Sequence, residues 1–287
     1  MTDHMTLDHM TIVVTGATGN VGRPLVDELL EAGARVRAVS RRPGSSGLPA
    51  DVEVVDSPVA AVSGASALFL NSRALGAELP AVIDHARHAG VTRLVALSAI
   101  NADDDFSRQP SRFRGDRNKE VEQLAIESGL QWVSLRPSVF ASNFAGMWSA
   151  QIRAGDIVNG PYGWASSAPI VESDIAAVAA TALLGDDLVG QKVPLTAPGS
   201  LTNTELVQII GSVLQRPLHY REIPTDLVRQ RFVGLGFPAE FGDAYVAMLS
   251  ATVDQPALVT HDVEKILGRP ARSFEQWVAD HRSLFTN

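Results

Sequence analysis

The stretch Met10–Arg42, MTIVVTGATGNVGRPLVDELLEAGARVRAVSRR, predicts the order strand, turn, helix, strand. It begins with the apolar run Ile12–Val14, which has the composition of a strand buried on both faces. Leucines and valines then recur at helical spacing as far as Gly33, which we expect to end the helix in a left-handed conformation. A second apolar run, Val36–Val39, follows directly. This order and length are those of a βαβ unit.

Three glycines separate the first strand from the helix with the spacing G-x-x-G-x-x-G. Because glycine has no Cβ, the backbone N–H groups of such a turn can approach a pyrophosphate, toward which the helix also directs its positive end. The motif alone would fit an ordinary tight turn, but its place between a buried strand and an amphipathic helix indicates a dinucleotide site. The residues predicted to bind the cofactor here are Thr15, Gly16, Thr18, Gly19, Asn20, Val21 and Gly22.

The end of the second strand indicates which dinucleotide binds. An NAD site usually has an Asp or Glu about 20 residues after the glycines, where it holds the ribose 2′-OH. Here the sequence is Ser40-Arg41-Arg42-Pro43, without a carboxylate. Two guanidinium groups suit a 2′-phosphate, although they could also be two solvated loop arginines. We therefore predict NADP(H) as the cofactor, bound by Arg41 and Arg42.

The composition excludes several classes of function. The 287 residues include no cysteine, which excludes disulfides, thiolate metal sites and cysteine nucleophiles. The absence of cysteine is also compatible with the cytoplasm, where we expect the protein. The net charge of −8 argues against nucleic-acid binding by the chain itself. No apolar run has the length of a membrane span, so we expect no membrane association.

Alternating strands and helices after Arg42 predict an α/β fold with a doubly wound parallel sheet. Its further strands are predicted at Val52–Val55, Ala67–Leu70, Leu94–Leu97 and Trp132–Leu135, with helices over Leu79–Ala89, Asp116–Ser128 and Asp174–Leu184. Ligands of such sheets lie across the carboxyl ends of the strands. This rule adds strand-end residues to the predicted cofactor site, namely Asn71, Ser72, Ser98, Ser138 and Phe140.

The pattern divides the chain into a leader and two larger parts. Residues 1–9 are polar and aperiodic, which predicts a disordered leader. Residues 10–137 form the predicted NADP-binding domain, and residues 138–287 a smaller α/β substrate lobe with some segments that return to the sheet. Capping boxes at Thr202 and Ser273 predict two helices of this second part. Four of its aromatic residues would line an apolar substrate pocket or belong to the core: Phe144, Trp148, Tyr162 and Trp164.

The chain resembles the NmrA-like family of atypical short-chain dehydrogenases/reductases over nearly its full length. The matching pieces are VVTGATGNVG, VRAVSRRP, VTRLVALSAI, EVEQLAIESGLQWVSLRPSVFASNF, VESDIAAVAATALL and KVPLTAPGSLTNTELVQIIGSVLQRPLHY. The resemblance implies a Rossmann domain that binds NADPH through Gly16, Gly19, Gly22 and Arg41, with a small α/β lobe for substrate. Members of this family include quinone and small-carbonyl reductases, natural-product tailoring enzymes and redox sensors that bind NADP without turnover.

One departure from the wider reductase pattern affects the chemistry. Short-chain reductases carry Tyr-x-x-x-Lys beside the nicotinamide, where the tyrosine donates a proton. Those two positions fall on Arg114 and Asn118 here, and Lys119 lies one residue away, about 100° around a helix. Ser98 matches the family's strand-end serine. The candidate catalytic residues are therefore Ser98, Arg114 and Lys119, in the absence of the usual proton relay.

Two functions remain open at this stage. The first is an NADPH-dependent reductase of a small quinone-like or conjugated carbonyl acceptor, apolar or aromatic, whose delocalised anion needs little help from an acid. The second is a non-catalytic NADP(H)-binding sensor that acts through a protein partner; a homodimer also stays open. Sugar-nucleotide epimerisation ranks third because it normally needs the tyrosine. No metal site is expected, because His85 and His88 have no third ligand nearby and Asp103–Asp105 lacks a cation-loop pattern.

Overall fold

The computed structural model describes residues 10–286, so the predicted leader lies outside the described residues. The strands in chain order are β1 Thr11–Thr15, β2 Arg35–Val39, β3 Glu53–Val55, β4 Ala67–Asn71, β5 Arg93–Leu97, β6 Gln131–Pro137, β7 Ile157–Gly160, β8 Ser166–Ser167, β9 Lys192–Leu195, β10 Leu201–Thr202 and β11 His219–Glu222. The helices are α1 Gly22–Glu31, α2 Pro58–Ala61, α3 Ser72–Leu75, α4 Leu79–His88, α5 Asn118–Glu127, α6 Ala141–Ala154, α7 Glu172–Leu184, α8 Asn203–Leu214, α9 Thr225–Gly234, α10 Ala239–Ser250, α11 Asp262–Leu267 and α12 Phe274–Asp280. Within residues 10–286, no helix combines the length and apolar character that a bilayer crossing requires.

Seven strands form one sheet in the order β3-β2-β1-β4-β5-β6-β9, which confirms the predicted doubly wound α/β fold. The pairs from β3 to β6 are all parallel. The direction of strand addition reverses between β1 and β4, so a crevice at their carboxyl ends is the expected ligand position. The sequence pattern does not predict β9, because Pro194 interrupts its short apolar run; a proline is tolerated there because β9 is an edge strand.

Helix α1 has the apolar face that its sequence predicts. Leu25, Val26 and Leu29 are fully buried, and the helix ends at Glu31. Gly33 follows with φ +83°, a left-handed conformation that favours glycine, and so confirms the predicted helix end. The nearby N–H of Ala34 then donates to the Leu29 carbonyl at 3.0 Å. Helix α1 packs against α7, whose residues are mostly buried.

The chain folds into two compact units, each built from several segments. The first consists of the residues up to Ala99 together with Gly115–Arg136 and Glu172–Pro194, and it contains nearly all of the seven-stranded sheet. The second consists of Ile100–Arg114, Pro137–Val171 and the residues from Leu195 onward. The segment that carries α7 and β9 thus belongs to the first unit although it follows part of the second.

The second unit has its own hydrophobic core. Phe144 and Trp148 of α6 pack there with Phe274 and Trp277 of α12, and residues of α8 complete the cluster. Two small sheets belong to this unit: β7 pairs in parallel with β11, and β8 pairs antiparallel with β10. The capping boxes predicted at Thr202 and Ser273 are both confirmed, at the starts of α8 and α12.

Candidate functional site

The turn between β1 and α1 requires glycine at two positions for different reasons. Gly16 has φ +68°, which L side chains rarely adopt. A Cβ on Gly22 would overlap the Gly16 carbonyl oxygen and lie 2.7 Å from the Cα of Ala17, both backbone atoms that cannot move aside. The turn is closed by a hydrogen bond from the Gly19 N–H to the Gly16 carbonyl at 2.9 Å. The first residues of α1 are therefore held close to the end of β1.

The start of α1 is suited to an anion. Thr18, Gly19 and Asn20 are exposed, whereas the side chain of Val21 is buried. Neither a side-chain cap nor an acidic residue occupies the first turn of this helix. The orphan N–H groups and the positive end of the helix dipole are thus available to a phosphate. A Cβ at the tightest position of the turn, Gly22, would push the start of α1 away from the end of β1 and so distort this turn.

Arg23 is a residue of this region that the sequence interpretation missed. It lies in the first turn of α1, where the helix dipole disfavours a cation. Its guanidinium donates to the carbonyls of Gly47 at 2.7 Å and Ser46 at 3.0 Å. Arg23 therefore ties the loop after β2 to the start of α1. Its position directly after the third glycine is a signal that could have been noticed, because a basic side chain there needs a compensating partner.

Arg41 and Arg42 begin this tethered loop, and both are exposed. The Arg42 N–H donates to the hydroxyl of Ser40, which is itself buried, at 3.2 Å. The backbone of the arginine pair is thus attached to the end of β2, while the guanidinium groups face solvent. The neighbouring basic residue Arg37 is engaged elsewhere, with Glu53 at 2.7 Å and two backbone carbonyls. The arrangement leaves a pair of cations at the strand end where the sequence predicts a 2′-phosphate.

Side chains cross-link the carboxyl ends of β1 and β4 at the point where the strand order reverses. The Thr15 hydroxyl donates to the Phe69 carbonyl at 2.9 Å and accepts from the Asn71 N–H at 2.8 Å. The Asn71 side-chain oxygen caps α3 by accepting from two backbone N–H groups. Ser72 accepts from the Arg117 N–H at 2.9 Å. These predicted cofactor residues therefore also shape the rim of the crevice.

The predicted catalytic residues have different environments. The buried Ser98 hydroxyl donates to the Asn118 carbonyl at 2.9 Å, at the start of α5. Lys119 is the second residue of the same helix and is half-buried. Arg114 is exposed and belongs to the second unit. Because its O–H already has an acceptor, Ser98 is poorly arranged to protonate a substrate.

A buried ion-pair network holds α5 against the sheet, and no motif in the sequence indicates it. The fully buried Glu122 accepts from the Ser134 hydroxyl at 2.6 Å, from Arg136 at 2.6 and 2.8 Å, and from Lys192 at 2.9 Å. Burial by itself would raise the pKa of Glu122, but the hydrogen bonds from Arg136, Ser134 and Lys192 outweigh burial and lower this pKa to about 2. The carboxylate is therefore charged at neutral pH, and α5 is fixed to β6 and β9.

The second unit contains the remaining predicted site residues. The Ser138 hydroxyl donates to the Ala168 carbonyl, and Phe140 forms a bridge with Ile170. Phe144 and Trp148 are at most 4% exposed and form part of the core of this unit, so the structure gives them a packing role. By contrast, Tyr162 is half-buried and Trp164 is 75% exposed. Among the four predicted pocket aromatics, only these last two are accessible to a ligand.

No metal cluster of His, Asp or Glu occurs among residues 10–286. The ring Nδ1 of His85 lies 3.1 Å from the Ala81 carbonyl, and that of His88 lies 2.8 Å from the Asp84 carbonyl. One ring nitrogen of each histidine is thus used within the helix. The structure offers no feature that favours a metal at this pair.

Comparison with known proteins finds one matching family and relatives that align over almost the full length of the chain. A family described as NAD(P)H-binding matches residues 16–185, more than half of the chain. The (4-alkanoyl-5-oxo-2,5-dihydrofuran-3-yl)methyl phosphate reductase of Streptomyces griseus is 32% identical over 284 residues, which covers 96% of this chain and 99% of the relative. The NAD(P)H azoreductase of Xenophilus azovorans is 29% identical, with 96% and 99% covered.

The fold also has solved counterparts. The NADPH-dependent quinone oxidoreductase of Escherichia coli, crystallised with NADPH, superposes with a TM-score of 0.77. It is 20% identical, with 94% of this chain and 99% of that chain covered. At this identity, the similarity establishes the shared fold.

Proposed function

Because the chain belongs to a family described as NAD(P)H-binding, we propose that it is an NADPH-dependent reductase of a small quinone-like or conjugated acceptor. The observation that carries this proposal is the similarity, over almost the whole length of each chain, to two proteins that are both named reductases. The exposed glycine turn and the uncapped start of α1 support the binding of a dinucleotide by this chain.

In this proposal the first unit holds the cofactor. The exposed turn of Thr18, Gly19 and Asn20 would lie against the pyrophosphate, and the positive end of the α1 dipole would stabilise its charge. The exposed guanidinium groups of Arg41 and Arg42 would bind the adenosine 2′-phosphate and so select NADPH over NADH. Arg23 would keep the loop that follows them attached to the helix. When bound, NADPH supplies a hydride.

The absence of the usual tyrosine proton donor restricts the chemical class of the acceptor. Arg114 and Asn118 stand at the positions of the usual tyrosine and lysine, and the Ser98 O–H is bound to a carbonyl, so neither the tyrosine nor this serine can serve as the acid. A quinone or conjugated carbonyl suits this arrangement, because hydride transfer leaves a delocalised anion that water can protonate. Lys119 would stabilise that negative charge electrostatically.

A non-catalytic sensor is the second candidate, and the engaged Ser98 hydroxyl favours it. In that case, cofactor occupancy would alter a surface that a protein partner or a second copy reads. The cytoplasm remains our proposed location, on the ground that a chain without cysteine suits a reducing compartment.

Turnover with a panel of acceptors separates the two candidates. Purified protein is mixed with NADPH and a naphthoquinone, an azo dye or an unsaturated ketone, and the loss of NADPH absorbance is followed. We expect oxidation of NADPH with at least one acceptor, and no oxidation with the Gly19→Val variant, whose added side chain would crowd the Gly16 carbonyl 3.2 Å away. Tight binding of NADPH without oxidation by any acceptor would refute the reductase and favour the sensor.

A further inference from the structure

The second unit contains a cleft of about 440 Å³. Its walls are formed by Tyr162 from the loop after β7 and by four consecutive residues that run from the end of β11 into α9: Glu222, Ile223, Pro224 and Thr225. The cleft thus combines an aromatic ring, a carboxylate, a hydroxyl and two apolar side chains. Such a mixture of apolar surface and few polar groups is typical of a small-molecule site.

The loop that carries Tyr162 is held rigidly. Tyr220 donates its hydroxyl hydrogen to the Pro161 carbonyl at 2.8 Å, and the Gly163 N–H donates to Glu222 Oε2 at 2.8 Å. Asn203 donates to the Tyr162 carbonyl at 3.0 Å, and Thr204 donates to the Gly163 carbonyl at 3.1 Å. Burial, followed by the charges of Tyr245 and Glu222, raises the pKa of Tyr220 well above its ordinary value, so its hydroxyl stays a donor. The loop is therefore preorganised.

Tyr162 itself has an unfavourable backbone conformation. Its φ is +49°, in the left-handed region where a residue with a Cβ is strained by about 1–2 kcal/mol. A glycine would adopt this conformation at no steric cost, so the tyrosine introduces strain that another residue would avoid. Strain of this kind that the surrounding hydrogen bonds maintain is characteristic of functional positions. The half-buried ring at this position faces the cleft.

Glu222 gives the cleft its charge. Residues alternate in direction along β11, so Tyr220 and Glu222 both point to the loop, while Arg221 points away and donates to Asn159 at 2.7 Å. The hydrogen-bond partner of Glu222 is an uncharged backbone amide, which leaves its negative charge uncompensated by that contact. The next acidic residue, Asp226, pairs with Arg229 at 2.8 Å. A ligand with an N–H group that can donate to this carboxylate is therefore favoured in the cleft, and an anion is disfavoured.

We propose that this cleft is the specificity site for the acceptor: Tyr162 stacks on a planar aromatic ring, and Glu222 selects rings that carry an amino substituent over rings that carry an acidic one. The proposal rests on the proposed reductase function in one respect, namely that the bound ligand is the acceptor of the reaction. Its physical content, binding of an amino-substituted aromatic, can be measured without any turnover.

The test uses three matched ligands: naphthoquinone, aminonaphthoquinone and naphthoquinone sulfonate. Their dissociation constants are measured by equilibrium dialysis without NADPH. We expect the amino compound, whose N–H can donate to the carboxylate, to bind most tightly, and the sulfonate, which the carboxylate repels, to bind most weakly, with a ratio of roughly five-fold or more between the two. Glu222→Gln should bring this ratio close to one, because its amide oxygen can still accept from the Gly163 N–H and keep the loop in place. Glu275→Gln, an exposed carboxylate on α12, is the matched control that should keep the ratio.

A second variant tests the ring. Tyr162→Gly removes the aromatic face but relieves the left-handed strain, so the melting temperature should not fall while all three ligands bind about ten-fold more weakly. An unchanged ligand order in Glu222→Gln, unchanged affinity in Tyr162→Gly, or no binding by the unmodified protein would each overturn the proposal. If the ligands bind in this order but no acceptor oxidises NADPH, the reductase function is refuted and the proposed ligand preference of the cleft stands. If NADPH is oxidised but the ligands do not bind in this order, the ligand preference is refuted and the reductase function stands.

Discussion

Replacing Glu122 with glutamine measures how strongly the buried network stabilises the protein. Glu122 has a side chain that is 0% exposed, and its carboxylate binds Arg136 and Lys192, which are 14% and 40% exposed. Glutamine keeps the shape of the side chain but removes the charge that both cations face. Because the partners then remain without their anion, we expect a large loss of stability.

The magnitude follows from the lowered pKa. Hydrogen bonds that outweigh burial shift the pKa of Glu122 from its ordinary value of 4.5 to about 2. At about 1.4 kcal/mol for each pKa unit, ionised Glu122 contributes about 3 kcal/mol to the free energy of unfolding at neutral pH. Since the pKa is lower in the folded state, this contribution is complete above the unfolded value and is lost as the pH falls toward 2. About 1.4 kcal/mol should remain at pH 3.

Urea unfolding followed by circular dichroism between pH 3 and neutral pH provides the measurement. The difference in unfolding free energy between the unmodified protein and Glu122→Gln should be about 3 kcal/mol at neutral pH and about half of that at pH 3. Glu53→Gln is the control, because Glu53 also pairs with an arginine but its side chain is 57% exposed, and we expect a loss below about 1 kcal/mol. A difference that does not change with pH, or one as small as that of the control, would refute the reasoning.

Three further predictions concern the cofactor. The double variant Arg41→Ala with Arg42→Ala should weaken NADPH binding by roughly ten- to a hundred-fold in calorimetry and leave NADH nearly unchanged; equal losses for both would remove the 2′-phosphate assignment. Gly22→Ala should lower the unfolding free energy by about 1–3 kcal/mol and weaken NADPH binding. The control Gly146→Ala, at an open helical position, should leave both unchanged. Similar melting temperatures for the two variants would contradict the packing argument. Arg23→Gln should speed amide hydrogen exchange in residues 43–48 and should weaken NADPH binding less than the double variant does. Unchanged exchange would show that the two carbonyl contacts of Arg23 do not hold the loop.

Much of the fold could be predicted because its signals are local. An apolar run followed by three spaced glycines and an amphipathic helix leaves one common arrangement, and residues 10–42 adopt it. The left-handed Gly33 and the capping boxes at Thr202 and Ser273 are equally local, since each depends on residues within one helical turn. Strand β9 was missed because a short strand with a proline resembles a loop until β6 is beside it.

The parts that could not be predicted depend on partners distant in sequence. The network of Glu122 joins residues up to 70 positions apart, and the Arg23 contacts cross more than 20 positions, so no periodicity records either of them. The distinction between core and cleft among the four aromatics has the same origin: α12 and α8 cover Phe144 and Trp148, but leave Tyr162 at the wall of the cleft.

The amino-acid sequence by itself therefore determined the parallel sheet, the phosphate-binding turn and the pair of cations after β2, because each follows from the chemistry of adjacent residues. Only the tertiary structure decided which carboxylate is buried, which hydroxyl is already engaged and which aromatic ring a ligand can reach. Those properties depend on the surrounding groups that exclude water or donate hydrogen bonds, and these groups come together only when the chain has folded.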